Sequence, residues 1–135
     1  MSTLMRSWHL ANGLIVEVVD DTINYYGDYY NVKLTIKSRI AVKSEYLVPL
    51  AQNPHFEKIA GMLGPVAEYR REIVKAGVPG KELLASKNHL VDKFEENALV
   101  YFEREDFPEK FVRRRFAEVE EELKKERHRN NDNGK

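Results

Sequence analysis

The stretch Tyr30-Asn31-Val32-Lys33-Leu34-Thr35-Ile36-Lys37-Ser38-Arg39-Ile40-Ala41-Val42-Lys43 decides the fold class, because its side chains change character with a period of two. Tyr30, Val32, Leu34, Ile36, Ser38, Ile40 and Val42 share one face of the strand this predicts, and Asn31, Lys33, Thr35, Lys37, Arg39 and Lys43 the other. Such a strand is half buried, with a basic outer face.

A half-buried strand needs neighbours, and the sequence before it supplies them. Residues 6–11 and 14–20 are two β-compatible runs separated by Asn12-Gly13, the dipeptide that favours a type I′ hairpin turn. Gly27-Asp28 stands between Tyr25-Tyr26 and Tyr29-Tyr30 and suggests a second tight turn, since glycine supplies the positive φ that such turns need. The first third of the chain therefore reads as an antiparallel meander.

The remainder turns helical. Asn53-Pro54 offers an N-cap and a first helical position, Phe56, Ile59, Ala60 and Leu63 follow at helical spacing, and Gly64-Pro65 ends the run. Residues 66–76 carry conflicting signals: Glu, Arg and Ala favour helix, yet a meander needs a further strand to cover its core. Strand is the reading adopted. Residues 79–104 read as one long helix with Leu83, Leu90, Val91, Phe94, Ala98, Tyr101 and Phe102 on one side. Asp106 and Glu109 have capping-box spacing and open a second helix with the seam Val112, Phe116, Val119 and Leu123. Residues 130–135 have nothing to bury and read as a frayed, disordered tail. The expected architecture is a single α+β domain over residues 1–129. Its antiparallel sheet of about four strands is covered on one face by a short helix and two long C-terminal helices.

Composition limits function. A chain of 135 residues holds one core, and 22 basic residues against 22 acidic ones leave no net field to draw polyanions. The absence of cysteine removes disulfides, thiolate metal sites and cysteine nucleophiles together, and suits the cytoplasm. No apolar leader opens the chain and no run approaches membrane-spanning length, so no membrane association is expected.

No catalytic constellation is visible either. Gly61, Gly64, Gly77 and Gly80 make no phosphate-binding fingerprint, and His9, His55, His89 and His128 lack metal-ligand spacing. Ser7, Ser38, Ser44 and Ser86 sit in no nucleophile elbow. The adjacent carboxylates Asp20-Asp21 and Glu95-Glu96 point apart on a strand or helix, which favours solvated charge over paired acid–base work. No catalytic residue, cofactor or metal is expected.

Two features stand out from this background. Lys87 falls within the apolar stripe of the first long helix, where an unpaired ammonium is costly to bury. Either its stem packs while the charge reaches water or a rim carboxylate, or it faces an anionic ligand in a sheet–helix crevice that Asn97 also serves. Tyr25, Tyr26, Tyr29 and Tyr30 flank the second turn near Lys33, Lys37 and Arg39. Structural packing, a protein interface and base stacking with phosphate contacts are all compatible with that grouping. Arg113-Arg114-Arg115 and residues 124–129 are basic in isolation, but Glu118 and Glu120-Glu121-Glu122 intervene. Pairs such as Glu120 with Lys124 and Glu121 with Lys125 make this a solvated helix.

Asn12-Gly13-Leu14 leading into an apolar strand, a helix ending near Tyr101-Phe102 and a restart at Asp106-Phe107-Pro108 resemble the punctuation of a family of small uncharacterised bacterial proteins. The resemblance spans most of the chain. It implies a strand at 66–76 and brings no activity, cofactor or catalytic residue. The function expected is a small non-catalytic interaction or scaffold module, self-associating through a sheet edge, the tyrosine hairpin or the C-terminal helix. The alternatives are single-stranded nucleic-acid binding over Tyr25, Tyr29, Lys33, Lys37 and Arg39, and small-anion binding near Lys87 and Asn97.

Overall fold

The structure, a computed structural model, describes the backbone of residues 2–133 and the side chains of residues 2–130. Among these residues the order of elements is β1 (Thr3–His9), β2 (Ile15–Asp20), β3 (Ile23–Tyr26), β4 (Tyr29–Ala41), α1 (Ser44–Leu47), α2 (Phe56–Leu63), β5 (Val66–Pro79), α3 (Leu83–Asn97), α4 (Leu99–Phe102) and α5 (Phe107–Asn133). The class is α+β, as the sequence predicts, with five antiparallel strands where about four are expected. Residues 66–76 are strand. By packing the chain divides into two compact units, residues up to 39 with 68–105, and residues 40–67 with 106 onward.

In the first unit β2 pairs with β1 from Thr3↔Asp20 to His9↔Ile15, and with β4 from Val16↔Ser38 to Asp20↔Leu34. The additional strand, β3, meets β4 at Ile23↔Asn31 and Asn24↔Tyr30, so it carries the register of β2 onward past Asp21-Thr22. β5 also pairs with β4. The period-two reading holds on the inner face, where Val32, Leu34, Ile36 and Ser38 are buried beside Val16 and Val18. Thr35, on the opposite face, is buried as well; its hydroxyl donates to Asp21 Oδ2 at 2.9 Å. Helices α3 and α4 contribute Val91, Phe94, Leu99 and Phe102 to the core. Trp8 of β1 lies 5.6 Å from Phe94, Phe94 lies 5.9 Å from Phe102, and Phe102 meets Tyr69 of β5 edge-on at 4.8 Å. One aromatic row thus runs from β1 to β5.

Two local expectations change. The Asn12-Gly13 turn is not type I′, because only Gly13 has positive φ (88°). Leu10 N–H donates to Leu14 O and Gly13 N–H to Leu10 O, which makes a three-residue loop closed by a left-handed glycine. The single helix expected over 79–104 is instead the end of β5, a 3-10 turn at Gly80–Glu82, α3 and α4. The break at Ala98 shifts the helical phase, so Tyr101, expected inside, is exposed and Leu99 is buried in its stead.

In the second unit α2 packs on α5. Ile59 and Leu63 of α2 are buried, as are Val112, Phe116, Val119 and Leu123 along the expected seam of α5, and the rings of Phe56 and Phe116 lie 5.9 Å apart. The helix starts later than Asn53-Pro54 suggests, at Phe56, because the Asn53 side chain accepts from His55 N–H at 2.9 Å and donates to Glu120. Glu120 therefore accepts from Asn53, ahead of α2, and Lys124 lies 3.6 Å from Glu121 instead. Arg113 Nε donates to Tyr46 O at 2.8 Å, fixing α1 against α5. Helix α5 continues to Asn133, through most of the segment read as a tail; residues 134 and 135 lie outside the described residues.

Candidate interaction surface

The hairpin of β3 and the start of β4 is built by its sequence. Gly27, with φ of 56°, takes the first central position of the turn, where a side chain would be strained, and Tyr26 pairs with Tyr29 across it. Asn24 Nδ2 donates to Gly27 O at 2.9 Å and closes the turn from within. Two further bonds tie the hairpin to the end of β5: Gly80 N–H donates to Asp28 O at 2.8 Å, and Gly77 N–H donates to Asn31 Oδ1 at 3.2 Å. The approach at Gly80 is close enough that a methyl group there would meet the Asp28 carboxylate. The tip is therefore held in place.

What the tip presents is apolar and uncovered. Every residue of β3 is exposed, with Ile23 at 61%, Tyr25 at 69% and Tyr26 at 76%, and Tyr29 follows at 50%. Tyr30 is half-buried at the inner face. The structure brings the four tyrosines together on one hairpin, as the sequence predicts. The bond between Gly80 and Asp28, which fixes it, escapes the sequence reading because Pro79-Gly80 looks like a helix start.

The basic row is a different matter. Lys33 Nζ lies 3.5 Å from Glu72, and Lys37 stands directly across from Glu17. Asp21 sits among the same side chains. Hydrogen bonds from Ser2 and Thr35 hold its carboxyl below the ordinary aspartate value, and the charges of Lys33 and Lys37 push in the same direction. Arg39 is exposed. The outer face carries interleaved charge rather than a positive stripe.

Lys87 and Asn97 are not brought together. Lys87 is largely buried in the middle of α3, with its ammonium 2.7 Å from Asp20 Oδ2. Burial alone raises the Asp20 carboxyl. Hydrogen bonds from Lys87 and from Thr22, with the lysine charge, outweigh that and hold it below the ordinary value. Asn97 is the exposed last residue of α3, ten positions on, or roughly 15 Å along the axis. Asp20 and Asp21 point to different partners, as adjacent strand residues must.

The hollows in the second unit, one around Asn53, His55 and Phe56 and one between Met62 and Glu126, contain none of these residues. Among the described residues no cluster of three or more metal-ligating side chains occurs, and no helix is long and apolar enough to cross a membrane. No family model matches the chain, and comparison with curated proteins and with solved structures finds no similar one.

Proposed function

We propose that the protein is a non-catalytic interaction module that self-associates through its tyrosine hairpin. The observation that carries the reading is the exposure of Ile23, Tyr25, Tyr26 and Tyr29 on an element whose tip is fixed by the Gly80 N–H to Asp28 O bond. Tyrosine provides large contact area with few rotatable bonds, and a hairpin already held in position loses little entropy on binding. The four side chains offer on the order of 500 Å², more than half of the roughly 800 Å² per partner of a standard interface.

The sheet edges at β1 and β5 serve this purpose less well. β1 is interrupted by a bulge between Leu4 and Arg6, and β5 carries Glu68, Arg70, Arg71, Glu72 and Lys75, devices that discourage edge-to-edge pairing. The nucleic-acid reading draws less support because carboxylates stand beside Lys33 and Lys37. Small-anion binding draws less because Asp20 already occupies the Lys87 ammonium.

Native mass spectrometry and sedimentation across the micromolar range test the proposal. A concentration-dependent dimer that Tyr26→Ser with Tyr29→Ser abolishes, with melting temperature retained, is the expected result. A strict monomer at high micromolar concentration overturns it.

A further inference from the structure

We propose that Asn12 is a modification site that folding protects: the asparagine of an Asn-Gly pair, open to deamidation in the unfolded chain and locked against it in the docked hairpin. The chemistry needs only water. Gly13 N, after losing its proton, attacks Asn12 Cγ; the new C–N bond forms as Cγ–Nδ2 breaks, and Nδ2 leaves as ammonia with the proton. Water then opens the cyclic imide at either carbonyl, leaving an aspartyl or isoaspartyl residue at position 12. Glycine as the following residue exposes the attacking nitrogen, because it has no side chain to shield it. Asparagine counts among the thermolabile residues.

In the fold the attacking nitrogen, the leaving nitrogen and the side-chain oxygen of that reaction are all hydrogen-bonded. Gly13 N–H, the nucleophile, donates to Leu10 O at 3.0 Å. Asn12 Nδ2, the leaving group, donates to Phe102 O at 2.6 Å and to Arg104 O at 3.0 Å. Asn12 Oδ1 accepts from Leu14 N–H at 3.2 Å. Cyclisation has to pull the nucleophile from its acceptor and the leaving group from two carbonyls at once, in a loop that the Leu10 N–H to Leu14 O bond closes.

The same geometry sets the consequence of the reaction. A carboxylate at position 12 has no N–H to give, so the carbonyls of Phe102 and Arg104 lose their donor and face a negative oxygen instead. The isoaspartyl form also lengthens the backbone inside the turn. Either product weakens the docking of the β1–β2 loop on the end of α4. The reaction therefore marks chains that have spent time unfolded, and marks them at a contact that stabilises the native fold.

The test compares wild-type protein in buffer with the same chain in concentrated urea at mildly alkaline pH, following deamidation by peptide mass mapping. Asn133-Gly134, the chain's other Asn-Gly pair, reports that the chemistry runs in urea. Deamidation at Asn12 is expected to be at least about tenfold slower in the native protein than in urea, a factor within what the loss of two or more net hydrogen bonds supplies. Chains modified at position 12 are expected to refold to a form with a lower melting temperature, and Asn12→Asp to melt lower likewise. Equal rates at Asn12 in buffer and urea overturn the protection, a result that depends on no variant folding. Modified chains that refold and melt like the native protein overturn the consequence.

Discussion

Lys87 Nζ lies 2.7 Å from Asp20 Oδ2, joining the middle of α3 to the last residue of β2, and each side chain is about one-sixth exposed (17% and 16%). A pair this shielded leaves a costly orphan when one member is removed. Lys87→Met and Asp20→Asn are each expected to destabilise by about 1–3 kcal/mol in urea melts, with the double variant costing less than the sum. Strict additivity would show that the two groups do not interact.

Acid sensitivity follows from the same corner of the sheet. The carboxyls of Asp20 and Asp21 both lie below the ordinary value of 3.8 in the folded chain, so their contribution is complete above that value and is lost as pH falls through the folded one. Stability is expected to decline on acidification below about 4, and Asp20→Asn to flatten that decline. Parallel curves for the two proteins would contradict the assignment.

Gly80→Ala separates the hairpin's position from its composition. A Cβ at Gly80 would collide with the Asp28 carboxylate, which has to swing aside next to the Gly80 N–H to Asp28 O bond that ties the tip to the end of β5. Self-association is expected to weaken with every tyrosine still present. Gly27→Ala meets nothing within 4 Å but forces an alanine to φ of 56°, a strain of about 1–2 kcal/mol. An unchanged dimer in Gly80→Ala would detach the interface from the tip.

Phe116, 2% exposed and with its ring tilted against that of Phe56, anchors α5 against α2. Phe116→Ala is expected to cost about 3–5 kcal/mol by calorimetry, and Phe116→Leu distinctly less. Similar losses for both would mean that ring shape, not filled volume, holds the second unit.

Much of this fold is written locally. The alternation from Val32 to Ser38 places four buried side chains correctly because a strand's two faces differ at every step, and the seam of α5 is legible for the equivalent helical reason. Lys87 was conspicuous in the sequence as a charge in an apolar stripe, but its partner was not, since Asp20 lies 67 positions away and local patterns carry no information at that range. Asn12 shows the limit more sharply. Its turn-forming character is visible beside Gly13, whereas its bonds to the carbonyls of Phe102 and Arg104 exist only once α3 breaks at Ala98. That break was hidden because Leu99 and Tyr101 are both apolar enough to continue either helical phase. The hairpin tyrosines were legible as a cluster, but their uncovered state depends on which elements stop short of them.

The aromatic row from Trp8 through Phe94 and Phe102 to Tyr69 belongs wholly to the first unit, and Trp8 is the chain's only tryptophan. Indole fluorescence is therefore a spectroscopic label, built in by nature, for one half of the molecule. A denaturation curve read from it reports the sheet with α3 and α4, while far-ultraviolet dichroism is weighted toward the long α5. Coincident transitions by the two signals would mean that the units melt as one cooperative body, and separated transitions that each has a stability of its own.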